Sequence, residues 1–148
     1  MKQKIMPPTY FMILLLLSIA LHFIIPLKKI INPPYAYSGI LLIIFGIAIN
    51  LWADSVFKKS KTTVKPHETP VSLETGGPFR ATRHPMYLGM AAILSGAAIL
   101  MGTITPFLSP VLFIILMEAL FIPAEEKNME NQFKTKHHEY KKKVRRWI

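Results

Sequence analysis

The sequence contains no cysteine among its 148 residues, and its eight acidic residues are outnumbered by eighteen lysines and arginines. Without cysteine the chain has no disulfide, no thiolate metal ligand and no cysteine nucleophile. The sequence also lacks a P-loop, a G-x-G-x-x-G dinucleotide motif, an H-E-x-x-H zinc motif and a G-x-S-x-G elbow. His137 and His138 are adjacent and so lie on different faces of a helix, and we predict no metal site. A nucleotide-type cofactor therefore needs a different cradle in this chain.

Four long apolar stretches dominate the sequence, at about residues 10–27, 35–57, 86–104 and 106–123. Hydrophobic residues make up 51% of the chain. Each stretch approaches the roughly 20 residues that cross the hydrocarbon core of a bilayer. We therefore predict an all-α integral membrane protein with four transmembrane helices, organised as a single domain over residues 1–148.

Positive charge is unevenly distributed between the connections. Sixteen of the eighteen lysines and arginines belong to the start of the chain, to the long connection 58–84 or to the tail 124–148, and only Lys28 and Lys29 lie elsewhere. With four spans, these three regions fall on one side of the membrane, which the positive-inside rule assigns to the cytoplasm. We predict a multi-pass protein of a bacterial or archaeal inner membrane with both termini cytoplasmic, and no binding of nucleic acid.

Two further patterns describe the third span and the tail. Small residues recur four positions apart in the third span, as at Ala92 and Gly96, so its backbone is expected to approach neighbouring helices closely and to be central.

In the tail, the helical spacing of apolar and aromatic residues predicts a C-terminal amphipathic helix at the membrane interface, with a catalytic role and simple attachment to anionic lipid both left open. The residues of this stripe are Met129, Phe133, His137, Tyr140 and Val144.

A polar turn at residues 83–89, with the sequence Arg-His-Pro-Met-Tyr-Leu-Gly, is the strongest candidate site. Pro85 suits the first position of a helix, and the exposed amides of Met86 and Tyr87 then form an anion site. Glu125 and Glu126 return at the end of the fourth span and can hold an ammonium group. A ligand that carries both charges fits this pairing, and the amino acid head group of S-adenosylmethionine is one.

Glu118 is a second candidate, because an ionisable side chain within a span costs about 2.5 kcal/mol or more and usually faces a cavity or a partner. It precedes Glu125 by seven residues, and two helical turns place both on one face. Glu118 could therefore line the substrate chamber or be a structural acid, and both interpretations stay open. His22, Asn50 and Asp54 are interpreted as polar contacts between or within helices.

From about Val71 to Ile148, the chain resembles the isoprenylcysteine carboxyl methyltransferases and related membrane phospholipid methyltransferases. The shared features are a G-x-x-x-x-x-R-H-P-x-Y-x-G turn, here Gly77 to Gly89, and a double glutamate. The resemblance implies S-adenosylmethionine bound outside any Rossmann fold. The implied cofactor-binding residues are Val71, Ser72, Leu73, Glu74, Phe79, His84, Pro85, Met86, Tyr87 and Glu125, and we add Arg83, with phosphates or the glutamates as its other candidate partners.

In that picture, His84 and the helix amides take the cofactor carboxylate and Glu125 takes its ammonium, while Leu73, Phe79 and Tyr87 border the adenosine. The methyl group then points between the third and fourth spans, where a lipophilic acceptor enters from the bilayer.

The chain departs from the family at two informative positions. Phe121 replaces the arginine that prenylcysteine-methylating relatives place four residues before the cofactor glutamate, and Lys134 replaces a glycine, which predicts an unbroken surface helix. We predict a methyltransferase acting on a lipophilic membrane substrate, isoprenylcysteine carboxyl methyltransferase-like. The alternatives are N-methylation of a phosphatidylethanolamine-type phospholipid, with Glu118 or Glu126 as the required base, and a non-catalytic lipid-binding membrane protein.

Overall fold

The computed structural model describes residues 6–61 and 70–148, and within these ranges the regular structure is helical apart from one isolated β-bridge. Lys2, Lys4 and residues 62–69 of the predicted cytoplasmic loop lie outside the described residues. The α-helices of the described part are α1 (Pro7–Ile24), α2 (Ser38–Lys59), α3 (Pro85–Met101), α4 (Leu108–Leu116) and α5 (Ile122–Lys143).

Three helical segments of the described chain are long and apolar enough to cross a membrane: Pro7–Ile24, Tyr35–Lys59 and Thr105–Lys143. The third of these runs from the turn before α4 to the end of α5, with a non-helical backbone at Lys134. Helix α3 is apolar too, but its 17 residues fall short of that length. The prediction of an all-helical integral membrane protein is confirmed, whereas a fourth full-length span remains a prediction.

Helix α3 is the central element, as its small residues indicated. It packs against α1, α2 and α4, and its contact with α2 is closest where glycines face each other. A Cβ added to Gly46 would collide with the carbonyl oxygen of Gly89 and would lie 2.6 Å from Cγ1 of Ile93. Gly39 and Gly96 meet in the same way two turns further along. The backbones therefore approach as closely as the sequence predicted.

The two short connections meet at one end of the bundle, as expected for loops on the same side of the membrane. The amide of Ile30 donates to the carbonyl oxygen of Gly102 at 2.8 Å, and Lys29 pairs with Thr103 in a β-bridge. Nδ1 of His22 lies 2.9 Å from Oγ1 of Thr103. His22 is thus a packing residue with a polar partner, and the opposite end of the bundle is left for the candidate site.

The junction between α4 and α5 differs from the expected regular helix. Residues Met117–Phe121 form a π-helical turn, whose wider spacing shifts the register of the residues on either side. Glu118 consequently does not share a pocket with Glu125; its carboxylate accepts hydrogen bonds from Nη1 of Arg146 at 2.8 Å and Nε1 of Trp147 at 2.6 Å. The expectation that two regular turns join the two glutamates on one face is therefore wrong.

Helix α5 is broken at Lys134, where φ is 41° and ψ is −112°. We expected that a lysine in place of the family glycine would remove this break, and that expectation is wrong. The fold imposes the bend, and the lysine adopts a backbone conformation that glycine accepts far more readily.

The apolar stripe of the tail turns inward instead of toward lipid. His137, Tyr140 and Val144 are buried, and the last two pack with Ala53 of α2 and Phe79. The hydroxyl of Tyr140 donates to the carbonyl oxygen of Phe79 at 2.6 Å. The face that we predicted to lie on the membrane surface therefore packs against the protein, and the bend at Lys134 directs it there.

Candidate functional site

The turn that precedes α3 is held by the C-terminal tail. A single 3₁₀ turn, Gly77–Arg80, leads into it. The amide of Arg83 donates to the carbonyl oxygen of Arg145 at 3.0 Å. The hydroxyl of Thr82, a fully buried residue, donates to the carbonyl oxygen of Arg146 at 2.9 Å. These long-range bonds fix the turn immediately before Pro85, the first residue of α3.

His84 lies between the two glutamates of α5. Its Nδ1 is 3.2 Å from Oε2 of Glu125, and its Nε2 is 3.7 Å from Oε1 of Glu126. The hydroxyl of Tyr87 donates to the other oxygen of Glu125, and its ring stacks on His84 with centroids 5.6 Å apart and planes 8° from parallel. The histidine–proline turn and the paired acids therefore form one cluster.

The glutamates determine the charge of His84. Burial by itself lowers the pKa of His84, but the hydrogen bonds and negative charges of Glu125 and Glu126 outweigh it and raise the pKa above its ordinary value. The imidazolium form is favoured, and its two nitrogens face carboxylates. The geometry thus differs from our expectation that His84 takes a cofactor carboxylate. Its side chain does not cap α3, so no capping side chain occupies the amides of Met86 and Tyr87.

Glu126 is surrounded by cations. Nη1 of Arg83 lies 2.9 Å from its Oε1, and the Arg83 and Glu126 side chains are only 11% and 10% exposed. Arg146 adds a two-point contact to Glu126, from Nη2 at 2.8 Å and from Nε at 3.2 Å, and reaches Glu118 through Nη1. Of the partners predicted for Arg83, it contacts one of the glutamates, Glu126.

A pocket opens beside this cluster, between the loop before α3, the first turn of α3 and both halves of α5. Val71 and Ser72 do not line it; they border a separate cleft with Phe133 and Lys143. The predicted site residues that line the pocket are Leu73, Glu74, Phe79, Arg83, His84, Pro85, Met86, Tyr87, Glu125 and Glu126.

The pocket also uses residues that sequence reasoning did not assign to it. Met129, His137 and Tyr140 belong to the apolar stripe of the tail, which the sequence analysis recognised. It assigned that stripe to the membrane surface instead of to the pocket. Four buried polar atoms of pocket-lining residues have no hydrogen-bond partner among the described residues: Nε and Nη1 of Arg83, Nε2 of His84 and Nδ1 of His137. Nη1 of Arg83 and Nε2 of His84 lie 2.9 and 3.7 Å from Oε1 of Glu126, which leaves Nε of Arg83 and Nδ1 of His137 without such a neighbour. The other additional lining residues, which carried no signal of their own, are Phe57, Pro70 and Asn128.

A phospholipid methyltransferase family model matches residues 35–136, which include α2, α3, α4 and the glutamate pair. The chain is also 33% identical over 63 residues to an uncharacterized protein of Haemophilus influenzae, a match that covers 43% of this chain and 100% of that protein. No solved structure matches the chain. The chain therefore belongs to the phospholipid methyltransferase family.

Proposed function

We propose that this protein is an S-adenosylmethionine-dependent methyltransferase whose acceptor is a lipophilic membrane molecule. The observation that carries the proposal is the charge-complementary pocket where the turn before α3 meets the glutamates of α5, with Arg83 2.9 Å from Glu126 and His84 3.2 Å from Glu125. Membership of the phospholipid methyltransferase family supports methyl transfer as the reaction.

The residues present fit a zwitterionic methyl donor. The unpartnered Nε of Arg83 and the first amides of α3 are donors suited to a carboxylate, and Glu125 is an acceptor suited to an ammonium group. Leu73, Phe79 and other apolar side chains provide surface for an adenosine ring. When bound, the donor supplies an electrophilic methyl group on a sulfonium. The chain's own contribution is binding and alignment, an effect worth up to roughly 7–11 kcal/mol in well-oriented reactions.

Among lipophilic acceptors, an aminophospholipid head group is favoured over a prenylcysteine carboxylate. Phe121, which replaces the arginine of prenylcysteine-methylating relatives, is 1% exposed and packs edge-on against Tyr10 with ring centroids 5.6 Å apart. The position thus contributes to the apolar core instead of to a carboxylate site. The family match also names phospholipids as a class.

The lipid reaches the pocket from the bilayer and the donor from the cytoplasm in this proposal. The pocket lies at the end of the bundle opposite the α1–α2 connection, which carries Lys28 and Lys29. Eight lysines and arginines belong to α5 and the tail, at the pocket end, which the positive-inside rule assigns to the cytoplasmic side of a bacterial or archaeal inner membrane.

Transfer of a radioactive methyl group to defined acceptors tests the proposal. Detergent-purified protein is mixed with the donor and with vesicles of phosphatidylethanolamine or with a prenylcysteine, and the label is separated into lipid, prenylcysteine and protein fractions. We expect label in the phospholipid. Glu125→Gln should lose it, whereas Glu130→Gln, a matched change at a side chain that is 55% exposed, should retain it. Label in neither acceptor would support the non-catalytic alternative.

A further inference from the structure

The tail half of α5 places in the pocket a histidine with one ring nitrogen that no described residue contacts by a hydrogen bond. His137 is 3% exposed, and its Nδ1 is fully buried with no hydrogen-bond partner among the described residues. A buried polar atom without a partner costs about 1–3 kcal/mol, so such an atom in a binding pocket indicates a ligand group that completes it. His137 reaches this position because α5 bends at Lys134.

The reaction proposed above requires a group of this kind if the acceptor is an amine. The ammonium form of a head group has no lone pair, so a proton must leave before nitrogen can attack a methyl carbon. The ordinary pKa of an imidazole, about 6.5, is closer to that of an alkylammonium than the pKa of a carboxyl group, about 4.3. An imidazole is therefore the better proton acceptor.

The other acid–base groups of the pocket are already engaged. Glu126 is paired with Arg83 and Arg146, and Glu125 accepts from Tyr87 and His84. His84 lies between two carboxylates, which favours its protonated form. Two remaining groups are also occupied, since Glu74 accepts from Ser72 at 2.6 Å and the hydroxyl of Tyr140 donates to a carbonyl oxygen.

We propose that Nδ1 of His137 accepts the proton of a lipid ammonium head group. The inference rests on the proposed function. His137 takes one proton from the ammonium, the freed nitrogen lone pair bonds the methyl carbon, and the carbon–sulfur electron pair stays on sulfur as the donor becomes a thioether. The product is an N-methylated ammonium lipid, and the proton on His137 returns to water.

Charges around His137 come from two elements. Arg83, from the turn before α3, and Lys141, from α5, are positive, and Glu126 and Glu130, both from α5, are negative. Lys141 itself lies 3.9 Å from Glu126 and 4.0 Å from Glu130. The largest influence on His137 is burial, which favours the neutral imidazole, the form that can accept a proton. The opposing charges around it are balanced in number.

The test compares His137→Asn with wild type and with His138→Gln. Asparagine keeps a hydrogen-bonding group near the Nδ1 position but does not accept a proton at neutral pH. His138 is the adjacent, exposed residue and provides the matched control. Methyl transfer to phosphatidylethanolamine vesicles is followed across pH, and donor binding is measured separately by calorimetry. His137→Gln is made as a second variant in case the first does not fold.

We expect kcat of His137→Asn to fall by roughly 100-fold or more, with the donor Kd changed by less than about threefold. The wild-type rate should rise with pH and then level off. The rate of His137→Asn should not show this rise to a plateau. A lipid whose amine is less basic should be methylated almost equally well by both proteins.

Three results would overturn the inference. An unchanged rate and pH profile in both variants would show that His137 does not carry the proton. Equal loss of donor binding and activity would assign His137 to the donor site. A wild-type protein that methylates a carboxylate and no amine would also refute this role for His137, but would leave the methyltransferase proposal standing.

Discussion

Replacing Glu126 by glutamine tests the ion cluster that joins α5 to the turn before α3. The carboxylate of Glu126 lies 2.9 Å from Arg83 and accepts two hydrogen bonds from Arg146, and it also faces His84 at 3.7 Å. Both Glu126 and Arg83 are about nine-tenths buried at the side chain. Removing the negative charge leaves buried cations without compensation, a change that typically costs about 3–5 kcal/mol. Glutamine retains one acceptor oxygen, so we expect the lower end, about 3 kcal/mol.

Thermal unfolding of the protein in detergent measures this loss. A destabilisation of about 3 kcal/mol corresponds to a fall of roughly 6–12 °C in the midpoint for a domain of this size. Glu130→Gln, one turn further along α5, is the control because Glu130 lies as far as 4.0 Å from its partner Lys141 and its side chain is 55% exposed. It should change stability by less than about 1 kcal/mol. Equal midpoints for the two variants would refute the argument that the cluster holds the site together.

Three further predictions concern stability and use the same unfolding measurement. Gly46→Ala should destabilise the protein by about 1–3 kcal/mol because the new methyl group collides across the α2–α3 contact. Gly76→Ala should not, because no atom lies within 4 Å of the added Cβ, and equal unfolding midpoints for the two variants would contradict the close packing. Lys134→Gly should stabilise the protein by about 1 kcal/mol through relief of backbone strain, whereas Lys136→Gly, in regular helix, should destabilise it by about 1 kcal/mol. Lower stability in both variants would argue against strain at Lys134. Because the pKa of His84 is raised in the folded state, its stabilising contribution is fully present below about pH 6.5 and is lost as pH rises through the raised pKa. The gap between wild type and His84→Gln should therefore narrow at alkaline pH, and a constant gap would contradict that assignment.

Local patterns in the sequence were sufficient for much of the fold. Continuous apolar runs predict buried or lipid-embedded helices whatever their neighbours are, and Pro85 marks the start of α3 for a purely local reason. The glycines of α3 likewise indicate close packing without naming the partner helix. The meeting of the histidine–proline turn with Glu125 was inferred from charge complementarity and from the family resemblance, and the contact at 3.2 Å agrees with it.

The features that sequence reasoning missed depend on distant contacts. The π-helical turn rotates Glu118 toward Arg146 and Trp147, and no spacing rule for a regular helix anticipates that. The stripe through His137 and Tyr140 was recognised as a face that must be covered, but a hydrophobic pattern does not say whether lipid or protein covers it. The bend at Lys134 turns this face toward the protein, although lysine seldom adopts the positive φ that the bend requires.

Calorimetric titration of the detergent-purified protein with S-adenosylmethionine tests the central claim most directly. The account predicts saturable binding at one site, weakened roughly 10- to 100-fold by Glu125→Gln through loss of one charge-assisted contact, with Glu130→Gln binding like wild type. Absence of binding by a folded wild-type protein, or equal affinity in the wild type and Glu125→Gln, would contradict the account.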